Sequence, residues 1–227
     1  MLFSEKDERI EKYKRIRRVA QQLTDRLQKH LPKFALVRAA KDLDFMGPKG
    51  ILTFDLEEET SFFIDRCFFD IYWEGKNLIG HFIESDDYEQ LTAEEQLVVQ
   101  GMTQTYYSLF ENLEVNRSEA TLKLVDLLGE ETFTITDINM SQTASEGYIQ
   151  ATRISKKGDI YMTTGASCPF APNQKEILIE GLRKRTKRVG KKRKSSQILK
   201  SSDYSAYFFR QYKRISKIRF SSVEGIE

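Results

Sequence analysis

Chemistry at neutral pH needs nucleophiles, proton carriers or metal ligands in convergent sets, and this chain offers few. The two histidines, His30 and His81, occur without HExxH or paired CxxC spacing, whereas a catalytic zinc needs three convergent protein ligands. His30 is placed at a helix end and His81 among apolar neighbours. The two cysteines, Cys67 and Cys168, are 101 positions apart, and Cys67 sits among Phe63, Ile64, Phe68 and Ile71. That is the setting of a buried structural thiol in a reducing compartment. Carboxylates group at Asp55/Glu57/Glu58/Glu59, at Asp65/Asp70 and at Asp86/Asp87. A metal-dependent nuclease would draw on such groups, but acids at a helix start explain Glu57 to Glu59 more simply. Walker A, GxGxxG and GxSxG patterns are lacking. The expectation is a protein without catalytic residues, metal ligands or cofactor.

Cations carry the stronger signal. Arg183, Lys184, Arg185, Lys187, Arg188, Lys191, Lys192, Arg193 and Lys194 put nine positive charges into twelve positions with no acid among them. Residues 183–227 hold 15 Lys/Arg against 3 acids, and the remainder holds 21 against 31. The whole-chain charge of +2 thus conceals a tail that seeks a polyanion and a body that avoids one. Lysine and arginine at this density neutralise phosphates and release condensed counterions, giving salt-sensitive, sequence-tolerant attraction to nucleic acid. Beyond the run, Arg210, Lys213 and Arg214 line one side of an expected amphipathic helix whose other side carries Tyr204, Phe208 and Tyr212. That aromatic side could stack on unpaired bases, dock in the groove of a protein partner or fold back on the acidic body. A polybasic run followed by a basic amphipathic helix also suits an anionic membrane surface.

The elements that must position these groups follow from periodicity. Ser4 with Asp7 and Glu8 opens a helix, and Ile10, Tyr13, Ile16, Ala20, Leu23, Leu27 and Leu31 recur at steps of three and four up to Pro32. A second helix spans Lys33 to Leu43, and Ile51 to Leu56 reads as a short strand. Phe62, Phe63, Asp65, Cys67, Phe68, Ile71 and Tyr72 fit a buried helix with its acids outward. Thr92-Ala93-Glu94-Glu95 has the form of a capping box, leading a helix into a β unit. Strands are expected at Leu109 to Val115, Ala120 to Leu127, Thr132 to Thr136, Gly147 to Ile154 and Asp159 to Thr163, the last two joined by a turn at Ser155-Lys156-Lys157-Gly158. Asn173 to Leu182 closes the unit as a helix with Ile177, Leu178 and Leu182 inward. Five short strands with two exposed edges make a poor flat sheet, so they should curl into a small barrel, SH3-like or OB-like. Its surface cations are Arg117, Lys123, Arg153, Lys156 and Lys157.

The succession LTAEEQLVVQ, YYSLFENLEV, LKLVDLLGEETFTI, GYIQATRI and DIYMTTG resembles a pattern in uncharacterised bacterial proteins, some of which carry an SEC-C zinc motif. The resemblance covers about Leu91 to Gly165 and includes a step like Asp126-Leu127-Leu128. The cysteine-rich zinc motif itself is absent, so no metal role is implied.

The fold expected is α+β. A helical domain spans 1–107, a small five-stranded barrel with its closing helix spans 108–182, a basic linker spans 183–202, and a basic amphipathic helix spans 203–227. No apolar run approaches the ~20 residues needed to cross a bilayer, and the charged N-terminus lacks a secretory segment, so a cytoplasmic location is the default. The expected function is non-enzymatic nucleic-acid binding through the tail, RNA ahead of DNA. The competing reading is a protein-interaction adaptor, with membrane-surface binding and a metal-dependent nuclease behind both.

Overall fold

The structure, a computed structural model, describes residues 5–56, 58–190 and 203–221, with side chains over 5–56, 58–186 and 204–215. Lys191, Lys192, Arg193 and Lys194, and the side chains of Lys187 and Arg188, lie outside the described residues.

Helix α1 (Glu5–Lys29) buries Tyr13, Ile16, Val19, Leu23 and Leu27 along one stripe, and the chain turns at Pro32 into α2 (Lys33–Asp42). The strand expected at Ile51 to Leu56 is not formed. Among the described residues its pairing is one antiparallel bridge of Met46 with Leu52, flanked by the Gly47 amide donating to Ile51 at 2.8 Å and the Thr53 amide donating to Phe45 at 3.0 Å, and Ile51 is 62% exposed. α3 (Glu59–Phe69), α4 (Leu78–Ile83) and the one-turn α5 (Asp86–Glu89) follow. The capping box forms as the sequence predicts. The Thr92 hydroxyl accepts from the Glu95 amide at 3.3 Å, and the Glu95 carboxylate accepts from the Thr92 amide at 2.8 Å, opening α6 (Ala93–Thr103).

The β unit comprises β1 (Thr105–Asn116), β2 (Thr121–Asp126), β3 (Thr132–Thr136), β4 (Ile149–Lys157) and β5 (Ile160–Phe170). The strands close on themselves in the order β1-β2-β3-β5-β4. Every pairing is antiparallel except β3 with β5, which meet in parallel at Ile135 and Tyr161. The connection expected to be a loop contains α7 (Ile138–Thr143), whose Asp137 cap accepts from the Met140 amide at 2.9 Å. Phe110, Leu122, Leu124, Ile135 and Ile154 fill the interior.

The β4–β5 turn differs from expectation in a way that matters for the site. It holds only Gly158 and Asp159, since Lys157 still pairs with Ile160, and Gly158 takes the left-handed φ of 67° that so tight a turn demands. Lys156 and Lys157 therefore belong to the strand.

α8 (Lys175–Gly190) and α9 (Asp203–Ser221) complete the described chain. α8 turns Leu178, Ile179 and Leu182 inward, whereas Ile177, expected inward, is 65% exposed; it falls on the face opposite that stripe. α9 crosses at Gly181, where a Cβ would displace the Tyr207 hydroxyl, which donates to the Leu178 carbonyl at 3.1 Å. The larger core runs through the whole assembly, joining Leu23, Leu27, Phe63 and Phe68 to Leu109, Ala151 and Met162 of the barrel and to Phe208 and Phe209 of α9. The helices thus cover the outer face of β1, β4 and β5 instead of forming a separate core.

Candidate functional site

Strand β4 is buried at every position but Lys156, because one face lines the barrel and the other meets the helices. Alternation puts Ala151, Arg153, Ser155 and Lys157 on the helix-facing side. Ser155 there donates to the Gly101 carbonyl of α6 at 2.8 Å. The sequence reading had Arg153 and Lys157 among surface cations; they are 4% and 3% exposed. Extending the strand to Lys157 makes both side chains share the buried face.

Arg153 is fully matched. Its Nε donates to both Asp65 oxygens at 3.2 and 3.0 Å, and one terminal nitrogen donates to Asp70 at 2.8 Å. Its guanidinium also lies over the rings of Phe69 at 4.7 Å and Tyr107 at 5.2 Å. Thr164 donates to Asp65 at 2.8 Å, and Ser205 of α9 donates to Asp70. Arg66 extends the network to Asp42 at 2.6 Å. Burial pushes the Asp65 carboxyl up from its ordinary value while Arg153 pulls it back. Asp65 and Asp70, expected to face outward, are each only 6% exposed. They turn inward because a buried guanidinium needs two carboxylates to offset its desolvation.

Lys157 has no such match. Among the described residues no hydrogen bond or ion pair reaches its ammonium, and its stem runs against Gly101. Burial, with the nearby Arg17 charge second, lowers its pKa from 10.5 to about 8. It lines a cavity of about 300 Å³ between α1, α3 and the barrel, shared with Arg17, Gln21, Thr24, Asp65 and Thr164 and floored by Ile64, Phe68 and Met102. Arg17 contacts Asp137 at 3.4 Å, Thr163 at 3.3 Å and the Tyr13 hydroxyl at 3.1 Å. A second cavity of about 560 Å³ lies on the other side of Arg17. Polar groups in its wall pair with one another: Asp137 accepts from Thr163 at 2.7 Å, and Gln150 donates to Asn112 at 2.9 Å.

Of the cations singled out in the sequence, those with described side chains lie on α8 and α9. Arg183, Lys184 and Arg185 are exposed on α8, and Lys184 makes only a surface contact of 3.4 Å with Glu180. Lys213 instead folds onto the body, pairing with Glu59 at 2.9 Å and Asp55 at 3.2 Å over the Phe45 ring. Burial works against its charge, and the two carboxylates outweigh that and raise its pKa. Arg210 is half-buried, with its Nε 3.4 Å from the Ala206 carbonyl, and Arg214 is exposed. Of the aromatic residues placed on a partner-docking face, Tyr204 is 4% and Phe208 0% exposed. Tyr212 is half-buried between Phe62 and Phe170. That face is covered by the chain's own core, so it does not present these rings to another protein or a membrane.

The remaining candidates are also accounted for. Cys67 and Cys168 are free and fully buried, and burial pushes the Cys67 thiol up to about 12. His81 stacks on Trp73 with ring centres 4.2 Å apart, and His30 lies 2.7 Å from Asp87. No helix among the described residues is long and apolar enough to cross a membrane.

Comparison with known proteins finds no match among curated proteins and none among solved structures. A family model does match, over residues 7–216, which takes in the helical half, the barrel and most of α9. The chain therefore belongs to that family, described as a family of unknown function (DUF7986).

Proposed function

We propose that this is a non-enzymatic nucleic-acid-associated protein, with RNA preferred to DNA, that holds the phosphate backbone through the cationic stretch beginning at Arg183. The observation that carries the reading is the exposure of three consecutive cations, Arg183, Lys184 and Arg185, midway along α8, shortly before Lys187, Arg188 and Lys191 to Lys194 in the chain. Contacts of this kind position a polyanion without reading bases, which suits RNA recognised by shape.

We also read the barrel as OB-like rather than SH3-like. Its strand order, the parallel β3–β5 contact and the helix between β3 and β4 support that reading. Small barrels of this type often carry single strands, a likeness of fold that by itself assigns no function. The outward positions of β2 and β3, Lys123, Val125, Thr132 and Thr134, offer one cation and no aromatic ring. The barrel is thus the mount, and the contact surface is at the basic end.

The test uses the full chain, since α9 contributes Phe208 and Phe209 to the core and truncation after Leu182 would remove them. All nine cations from Arg183 to Lys194 are changed to Gln, and binding to a 20-nucleotide RNA is followed by fluorescence anisotropy. The unaltered protein should bind, and engaging about six phosphates should cost it roughly a thousandfold in affinity between 50 and 200 mM salt. The Gln variant should lose most of that affinity and its salt slope. Binding that is indifferent to both changes would overturn the proposal. If material co-purifying with the protein survives nuclease treatment, an acidic protein partner takes the place of RNA.

A further inference from the structure

An isolated ammonium in a protein interior is costly, and native structures relieve the cost by pairing it, neutralising it or giving it a ligand. In this fold the neighbouring positions on β4 follow the first course, with Arg153 held by Asp65 and Asp70. Lys157 is equally buried and has no partner among the described residues. The second positive group in its cavity, Arg17, adds to the field instead of cancelling it.

We infer that the cavity between α1, α3 and β4 is a binding site for a small organic carboxylate, with its charged end at Lys157 and Arg17 and its apolar body against Ile64, Phe68 and Met102. The size fits, since a cavity of about 300 Å³ lies at the lower end of ligand pockets. Lining chemistry fits as well. Thr24 and Gln21 of α1 and Thr164 of β5 supply neutral hydrogen-bonding groups beside the two cations.

A monoanion is favoured over a phosphate dianion for two reasons. Asp65 lines the same cavity and would repel a second negative charge. Arg17 already shares its charge with Asp137. An anion at Lys157 also offsets the burial that disfavours the ammonium, so the ligand and the charge stabilise each other. The site is separate from the basic end of α8, and it stands or falls independently of RNA binding.

Calorimetric titration of the full chain at pH 7 with hexanoate, and with hexanamide as the neutral counterpart of the same shape, tests the inference. Hexanoate should bind about tenfold or more tightly than hexanamide, the difference expected for a charge-assisted contact. Lys157→Met should abolish that preference and leave the weak hexanamide binding unchanged. Ala20→Leu, which extends a side chain from α1 into the cavity while keeping Lys157, should weaken both ligands and covers the case in which Lys157→Met does not fold. The inference is overturned if hexanoate does not bind, if the two ligands bind equally, if inorganic phosphate binds in preference to hexanoate, or if hexanoate affinity survives in either variant.

Discussion

Arg153 and Lys157 share a strand face four residues apart, and what surrounds them makes their substitution effects opposite in sign. Removing Arg153 leaves Asp65 and Asp70 as uncompensated buried carboxylates. Arg153→Met should therefore lower stability by about 3–5 kcal/mol in urea unfolding. Adding Asp65→Asn should cost less than the sum of the single changes. Lys157→Met removes an unpaired charge instead and should stabilise. The folded pKa lies near 8 against 10.5 in the free side chain, so between those values the unfolded chain holds the proton and the folded chain has lost it. Stability of the unaltered protein then rises with pH across that window. Lys157→Met should be the more stable at pH 7, by on the order of 3 kcal/mol, with the gap closing towards pH 10.5. Of the groups around Lys157, the charged ones are Arg17 on α1 and Asp65 on α3. Gly101 and Met102 on α6 and Thr164 on β5 carry no charge, and burial raises the Tyr13 hydroxyl beside Arg17. A gap that stays constant over pH 7–10.5 would contradict this account. None of this was legible in the sequence, because Lys157 reads as a turn residue until the turn is narrowed to Gly158 and Asp159. The available signal was the glycine itself, which fits the first position of a two-residue turn.

At the scale of elements, legibility followed the strength of local chemistry. The α1 stripe and the Thr92–Glu95 box are each written within a single helix; the box forms as read, and the stripe forms with Tyr13, Ile16, Leu23 and Leu27 buried as read and Val19 added to them. Ile51 to Leu56 has the composition of a strand but pairs only through one bridge to Met46, a tertiary fact that six residues cannot carry. The terminal helix shows the same limit. Its amphipathic pattern predicts an apolar face correctly, yet the pattern is silent on whether that face meets another molecule or its own body. The structure buries Phe208 and Phe209 completely, with Phe208 against Tyr207 and Phe209 against Phe62 and Phe45. Phe208→Ala should accordingly cost about 3–5 kcal/mol, measured as a shift of the urea midpoint. If Phe208 instead served only an external partner, the midpoint would not move.

For the molecule as a whole, charges far apart in the sequence are partly settled against one another. Lys213 answers Asp55 and Glu59, and Arg9, Lys12 and Arg17 of α1 reach across to Glu119, Asp159 and Asp137 of the barrel. Such pairings were hidden from the sequence because they join positions more than a hundred residues apart. The same long reach bears on how the protein is made. Synthesis delivers the chain from its N-terminus at roughly 5–20 residues per second, and α1 must wait for the barrel strands it covers. The face of α3 and β5 must wait longer, until Phe208 and Phe209 emerge. The basic stretch from Arg183 to Lys194 precedes them in the chain. A nascent polypeptide therefore has its polycation out of the ribosome before its hydrophobic core can close, and maturation of the body takes place with that charge already in contact with the surroundings.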